Sequence, residues 1–294
     1  MTTSRRTVKT SLNFYDPING PKNMYLNVSE VQSYKFITAP AEIIDIRSCD
    51  EELTLDKNGF QLANYEDELT GFENDTSIEE HVYPKVAEFL KKVTGASRVS
   101  THVHMIREST LSDLKSQAQR SDGPLEVLPP GPATNIHVAS DQSYTGAHQF
   151  LKHNLPNEYE KVTKTRWAII NVWLPLAPVA RDNLFVGDWR TMDPSQFHNI
   201  PLHFPTGDAK RNDDSYTHVD TWRIAPRTDG GKNDWYYASE MQPGEAILVK
   251  CFDTKLDRAR CCPHGAFECE EDHGPARRSC EFRCFVFWED QEAE

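Results

Sequence analysis

Apolar positions along the chain change their period from irregular, to helical, to strictly alternating. Over residues 1–70 the pattern predicts irregular structure with short strands, including "MYLNV" (24–28) and "EIIDI" (42–46). In "LTLDKNGFQLANYE" (53–66) the Asn58-Gly59 pair lies between two apolar pieces, a hairpin signal. Ile78, Val82, Val86, Phe89, Leu90 and Val93 then recur at helical spacing. Thr76 or Ser77 can cap that helix with Glu79 or Glu80, Pro84 bends or restarts it, and Gly95 ends it. A strand is expected over 97–109, a loop over 121–133 and a helical stretch over 144–155.

The segment "RWAIINVWLPLAP" (166–178) alternates. Trp167, Ile169, Asn171 and Trp173 fall on one face, and Ala168, Ile170, Val172 and Leu174 on the other, as in a half-polar barrel strand. The last third is strand-dense, with candidates at 216–226, 234–241, 245–253, 261–267 and 279–288. Helices come first and many short strands follow, without repeats or βαβ alternation. That order predicts a mainly β fold with flanking helices, a barrel or sandwich. The 294 residues are expected to form one domain, an N-terminal helical and hairpin extension over about 1–100 preceding a barrel core over about 100–290.

Composition narrows the function classes. The net charge of −13 repels a phosphate backbone, and no Lys/Arg-dense block offsets it, so no nucleic-acid partner is expected. No apolar run is long enough to cross a bilayer and the first residues lack an apolar signal core, so a cytoplasmic protein without a membrane partner is expected. Six of the seven cysteines follow residue 250, in a scatter unlike a secreted disulfide framework; reduced thiols are expected. Oligomeric state leaves no signal.

Candidate chemistry gathers near the C-terminus. "CCPHGAF" (261–267) presents His264, and thirteen residues later comes Arg277-x-Ser279. In this order the chain resembles the double-stranded β-helix (jelly-roll, cupin-like) oxygenases that use iron(II) and 2-oxoglutarate. More narrowly, it resembles the fungal hydroxylase/desaturase proteins of secondary metabolism, related to a cephamycin-pathway protein and to gibberellin-desaturase-like proteins. The matching pieces are "LTLDKNGFQL", "VTGASRV", "DQS" after an Ile-His, "INVWLPLAPVARDNL", "DWYYASEMQPGEAILVKCFDTK" and "PHGAFE", spread over residues 53–287.

The resemblance implies a centre in which His137, Asp141 and His264 hold Fe(II), leaving positions for the 2-oxoglutarate chelate and O₂. Arg277 and Ser279 would receive the far carboxylate of 2-oxoglutarate, since a guanidinium fork grips a carboxylate with two parallel bonds. The implied activity is oxidation of a small-molecule secondary metabolite by C–H hydrogen abstraction, giving hydroxylation, desaturation or ring closure. Asn171 and Trp173 are candidate pocket residues, as are Asp188 and Arg190 if they are not simply a loop ion pair.

Three alternatives accompany this expectation. The family pattern is His-x-Asp-Gln-Ser, whereas this chain reads His137-Val138-Ala139-Ser140-Asp141-Gln142-Ser143. Residues two apart on a strand lie about 6.6 Å apart and four apart about 13 Å, so His137 and Asp141 can share an ion only if the backbone bulges or turns between them. His218-Val219-Asp220 is a tidy competing pair, but it follows "INVWLPL", whereas the proximal pair of the resembled architecture precedes that strand. Loss of iron binding would leave a catalytically inactive scaffold protein. Zinc held by Cys261, Cys262, His264, Cys269 and His273 would lack the two separated knuckles usual for structural zinc.

Overall fold

The computed structural model describes residues 5–25, 36–109, 138–205 and 216–294. The loop expected over 121–133 and the end of "MYLNV" lie outside them. Fourteen strands occur among the described residues. They are β1 (Thr7–Tyr15), β2 (Met24–Tyr25), β3 (Phe36–Asp45), β4 (Phe60–Asn64), β5 (Arg98–Arg107), β6 (Ala139–Ser140) and β7 (Thr165–Pro175), then β8 (Asn183–Gly187), β9 (Phe197–Pro205), β10 (Tyr216–Ile224), β11 (Trp235–Tyr237), β12 (Glu245–Asp253), β13 (His264–Phe267) and β14 (Ser279–Glu292).

They form a five-stranded sheet, β4-β12-β7-β14-β5, and a nine-stranded sheet, β1-β3-β11-β8-β13-β6-β10-β9-β2. Strands from the first 64 residues belong to both: β3 pairs with β11, and β4 with β12. The two sheets face one another as a jelly-roll, the double-stranded β-helix of the sequence expectation.

The alternation of β7 explains the layering. Its Trp167, Ile169 and Trp173 meet Ile247, Val249, Phe285 and Phe287 from the same sheet and Leu184, Val186 and Tyr236 from the other. Complete burial of side chains this size contributes roughly 1.5–3 kcal/mol each, which fixes the spacing of the sheets. The opposite face of β7, with Cys280, Phe282, Cys284 and Val286 of β14, packs on Val86, Phe89 and Leu90 of helix α1 (Tyr83–Thr94). Pro84 lies in the first turn of α1, and the residues before it, Ile78–Val82, wind as a wider π turn. Proline cannot donate the backbone bond a continuous helix would require, so the helix restarts there. Gly95 ends it in the left-handed region at φ 66°.

The hairpin expected over 53–66 does not form. The Asn58-Gly59 turn exists, with Gly59 at φ +91°, but Asn58 is spent on side-chain bonds to Thr54 and to Asp188 (2.8 Å). The strand after the turn, β4, pairs with β12 instead of with residues 53–55. The turn signal was local, and a long apolar strand elsewhere in the chain supplied the stronger partner.

Helices α2 (Tyr144–Asn154) and α3 (Tyr159–Val162) precede β7. Ser143 caps α2 by accepting from the Gly146 amide.

Candidate metal and co-substrate site

Antiparallel pairing puts His264 of β13 directly opposite Ala139 of β6, and opposite Val186 of β8, whose side chain faces the inter-sheet core. Residues directly paired across antiparallel strands share a face, so His264 and Ala139 both look inward. Asp141, two residues past Ala139, returns to that side. Its Oδ2 lies 4.0 Å from His264 Nε2. The other ring nitrogen, Nδ1, is 2.9 Å from the Cys262 carbonyl, which fixes the ring and leaves Nε2 facing Asp141.

The opposing sheet supplies the remainder. Asn171 on β7 and Arg283 on β14 are cross-strand partners, and both reach Asp141. Asn171 Nδ2 donates to Oδ2 at 2.6 Å and Arg283 Nη2 to Oδ1 at 3.1 Å. Arg283 Nε also donates to Glu281, at 3.4 Å, so one guanidinium spans two carboxylates. One ligand atom each from Asp141, His264 and Glu281 lie within 4.8 Å of one another. Burial by itself would raise the Asp141 pKa, but Arg283, His264 and Asn171 outweigh it and hold the carboxyl at about 2.

Farther along the inward side, Arg277 is 5% exposed and Ser279 fully buried. Arg277 Nη1 donates to the Asp182 carbonyl, and its guanidinium carbon sits 5.2 Å from the centre of the Trp173 ring. Among the described residues its Nε and the Ser279 hydroxyl have no hydrogen-bond partner. Burial, reinforced by the nearby Arg107 cation, pushes the Arg277 pKa down to about 9. A buried cation with an idle donor beside an idle hydroxyl fits an anion that completes the set.

The other sequence candidates separate cleanly. His137 lies outside the described residues. His218 stacks on His203 with ring centres 5.3 Å apart, and Asp220 accepts from Gln149. Asp220 has the opposite strand parity to Arg223, whose charge reaches Asp141, so the tidy pair is not brought to His264. Asp188 and Arg190 form a loop ion pair; Arg190 also reaches Glu51, and Asn58 donates to Asp188. Cys261 and Cys262 are buried free thiols, and among the described residues no cysteine joins His264 in a metal-sized cluster. His148 is half-buried against Tyr159 and Trp167.

Sequence reasoning did not single out Glu281. The signal was present: Arg277, Ser279, Glu281 and Arg283 continue one period-two series, and a polar residue every second place on a core-facing strand marks a site.

The fold is shared with solved structures. The iron and alpha-ketoglutarate-dependent endoperoxidase NvfI superposes with a TM-score of 0.76 at 21% identity, over 97% of this chain and 98% of that one. A family model described as an oxidoreductase/YMDC permease-like domain matches residues 12–287. The hydroxylase/desaturase efuI of Hormonema carpetanum is 37% identical across 98% of this chain and 97% of its own length. The chain belongs to the fungal hydroxylase/desaturase family. A second member, CTB9 of Cercospora beticola, is 36% identical over 88% of this chain and 80% of its own length. The alpha-ketoglutarate-dependent dioxygenase phiK, from a fungal species, is 29% identical over 82% of this chain and 81% of its own. The family is one of non-haem iron, 2-oxoglutarate-dependent oxygenases that act on small molecules.

Proposed function

We propose that the site between the two sheets is the active centre of this oxygenase, with Asp141 and His264 holding Fe(II) and Arg277 with Ser279 receiving 2-oxoglutarate. The observation that carries the reading is the pairing of two complementary features on one inward surface. Asp141 and His264 form a carboxylate–imidazole set suited to a ferrous ion, and Arg277 with Ser279 offers unused donors suited to a carboxylate. When bound, iron, 2-oxoglutarate and O₂ supply the oxidant that removes a hydrogen from the substrate, with succinate and CO₂ released.

The chain's own residues position and insulate that chemistry. The Cys262 carbonyl orients the His264 ring. Asn171 and Arg283 hold Asp141 ionised, ready to ligate without first losing a proton. Trp173 packs beside Arg277, keeps water from the guanidinium and so strengthens its grip on an anion. The surrounding aromatic residues suit a partly apolar small molecule, with hydroxylation, desaturation or ring closure set by how its radical is held. Seven free cysteines and the acidic surface support a cytoplasmic site of action. Among the described residues no helix is long and apolar enough to cross a membrane.

The test is anaerobic. Fe(II) and then 2-oxoglutarate are added to metal-free protein, and the weak visible charge-transfer absorption of the chelate is followed. Absorption in the parent and its loss in Asp141→Ala and His264→Ala supports the assignment. A folded parent protein that develops no absorption sinks it.

A further inference from the structure

Among the described residues, the sheet that carries Asp141 and His264 supplies only those two donors to the cluster. In the His-x-Asp arrangement the imidazole sits two residues before the carboxylate, on the same face. Here that place is Ala139, paired directly with His264. Its methyl group cannot ligate anything. Glu281 approaches from the opposing sheet, and its carboxylate completes the only three-donor cluster found among the described residues.

Two observations point to a cation between these groups. The Glu281 side chain is 17% exposed and the Asp141 side chain 18%, so two carboxylates converge in a largely desolvated space. Arg283 bridges both carboxylates, and the charges of Arg107 and Arg223 also reach them. Asn171 is completely buried, with its amide nitrogen on Asp141 and its carbonyl oxygen without a partner among the described residues. A buried idle acceptor beside two anions is expensive unless a cation or a ligand's donor satisfies it.

We propose that Glu281 is the third protein ligand, making this a one-histidine, two-carboxylate centre in place of the two-histidine, one-carboxylate set. The assignment rests on the reading that the site holds Fe(II). Donors on adjacent octahedral positions stand about 3 Å apart, so side-chain rotations of roughly 1 Å close the cluster onto one ion. Two hard oxygen donors favour Fe(II) or Mn(II) over softer, thiolate-preferring ions.

The test measures metal binding without turnover. Metal-free protein is titrated anaerobically with Co(II) as a coloured Fe(II) surrogate, read by visible absorption and calorimetry. The variants are Glu281→Gln, His137→Ala, Ala139→His and the double variant Ala139→His/Glu281→Gln. Glu281→Gln is expected to weaken Co(II) binding more than 100-fold, since even an outer-shell partner typically costs 10–100-fold. Ala139→His is expected to restore binding in the Glu281→Gln background, which also shows that the loss was not misfolding. His137→Ala is expected to bind as the parent does. If the parent binds Co(II) and Glu281→Gln binds equally well, Glu281 is not a ligand, while the iron-site reading stands. Loss of binding in His137→Ala with retention in Glu281→Gln assigns the donor to His137 and overturns the proposal. A parent that binds no Co(II) overturns both.

Discussion

Replacing Arg277 by methionine should move stability and co-substrate binding in opposite directions. Without an anion, the guanidinium is a buried cation held by the Asp182 carbonyl and the face of Trp173, with the charges of Asp182 and Glu281 also acting on it. Keeping such a group charged while buried is costly, which is why burial depresses its pKa to about 9. An apolar side chain of similar length removes that cost, so the metal-free variant should be as stable as the parent or up to about 1–4 kcal/mol more stable. With 2-oxoglutarate present the sign reverses. The far carboxylate enters the pocket without its cation, a loss of about 2–5 kcal/mol. That corresponds to roughly 30-fold to several-thousand-fold weaker binding. The assays are a thermal melt of metal-free protein and an anaerobic 2-oxoglutarate titration of the Fe(II) form. At this chain length each kcal/mol shifts Tm by about 2–4 °C, so the two effects are measurable separately. A melting point lowered by several degrees with unchanged 2-oxoglutarate affinity would refute the reasoning and make Arg277 a structural residue.

Other predictions concern the frame. A Cβ built on Gly146 falls 1.8 Å from the Asp220 carbonyl oxygen, so Gly146→Ala should push α2 off β10 and cost about 1–3 kcal/mol or more; an unchanged Tm would show that the contact relaxes freely. Burial alone would raise the Asp56 pKa, yet Lys250, Arg166 and Arg258 hold it below its ordinary value. Its contribution is therefore full above the unfolded carboxylate pKa and is lost as pH falls through the lower folded value. Asp56→Asn should flatten the acid limb of the stability profile and change nothing in how stability varies between pH 6 and 8, at about neutral conditions. Burial raises the thiol pKa of Cys261 and Cys284 to about 12, and only Cys49 and Cys269 are partly exposed. A thiol reagent at mildly alkaline pH should modify at most those two in the folded protein and all seven after denaturation. Fast modification of five or more without denaturant would contradict the burial.

Much of the fold was legible because the strands state their faces. The split of β7 into Trp167, Ile169, Asn171 and Trp173 against Ala168, Ile170, Val172 and Leu174 is the split between the two apolar layers. The helix ended at Gly95 and restarted at Pro84 because those residues act locally. The hairpin reading failed for the complementary reason: which strand β4 joins is decided by β12, some 185 residues later. The site divided in the same way. His264, Arg277 and Ser279 announce themselves through residue type and spacing along one stretch of chain. That Ala139, rather than a donor, lies beside His264 is a fact of register between β6 and β13, and no local pattern carries it. Glu281 was hidden differently. Its carboxylate meets Asp141 only because the sheets face each other, although its place in the Arg277, Ser279, Arg283 series marked the side on which to look.

The contact between Asp141 and Arg283 joins one sheet to the other, so the distance between the sheets sets the bite of the site. That distance is held open by Trp167, Phe285 and their neighbours in the core between the sheets. The aromatic core therefore acts as a gauge block for the cluster. Trimming it should draw the sheets together or let them slip, altering metal affinity in a protein that still melts cooperatively. Selection for a new reaction in this scaffold has two places to act: the pocket wall, and the girders behind it.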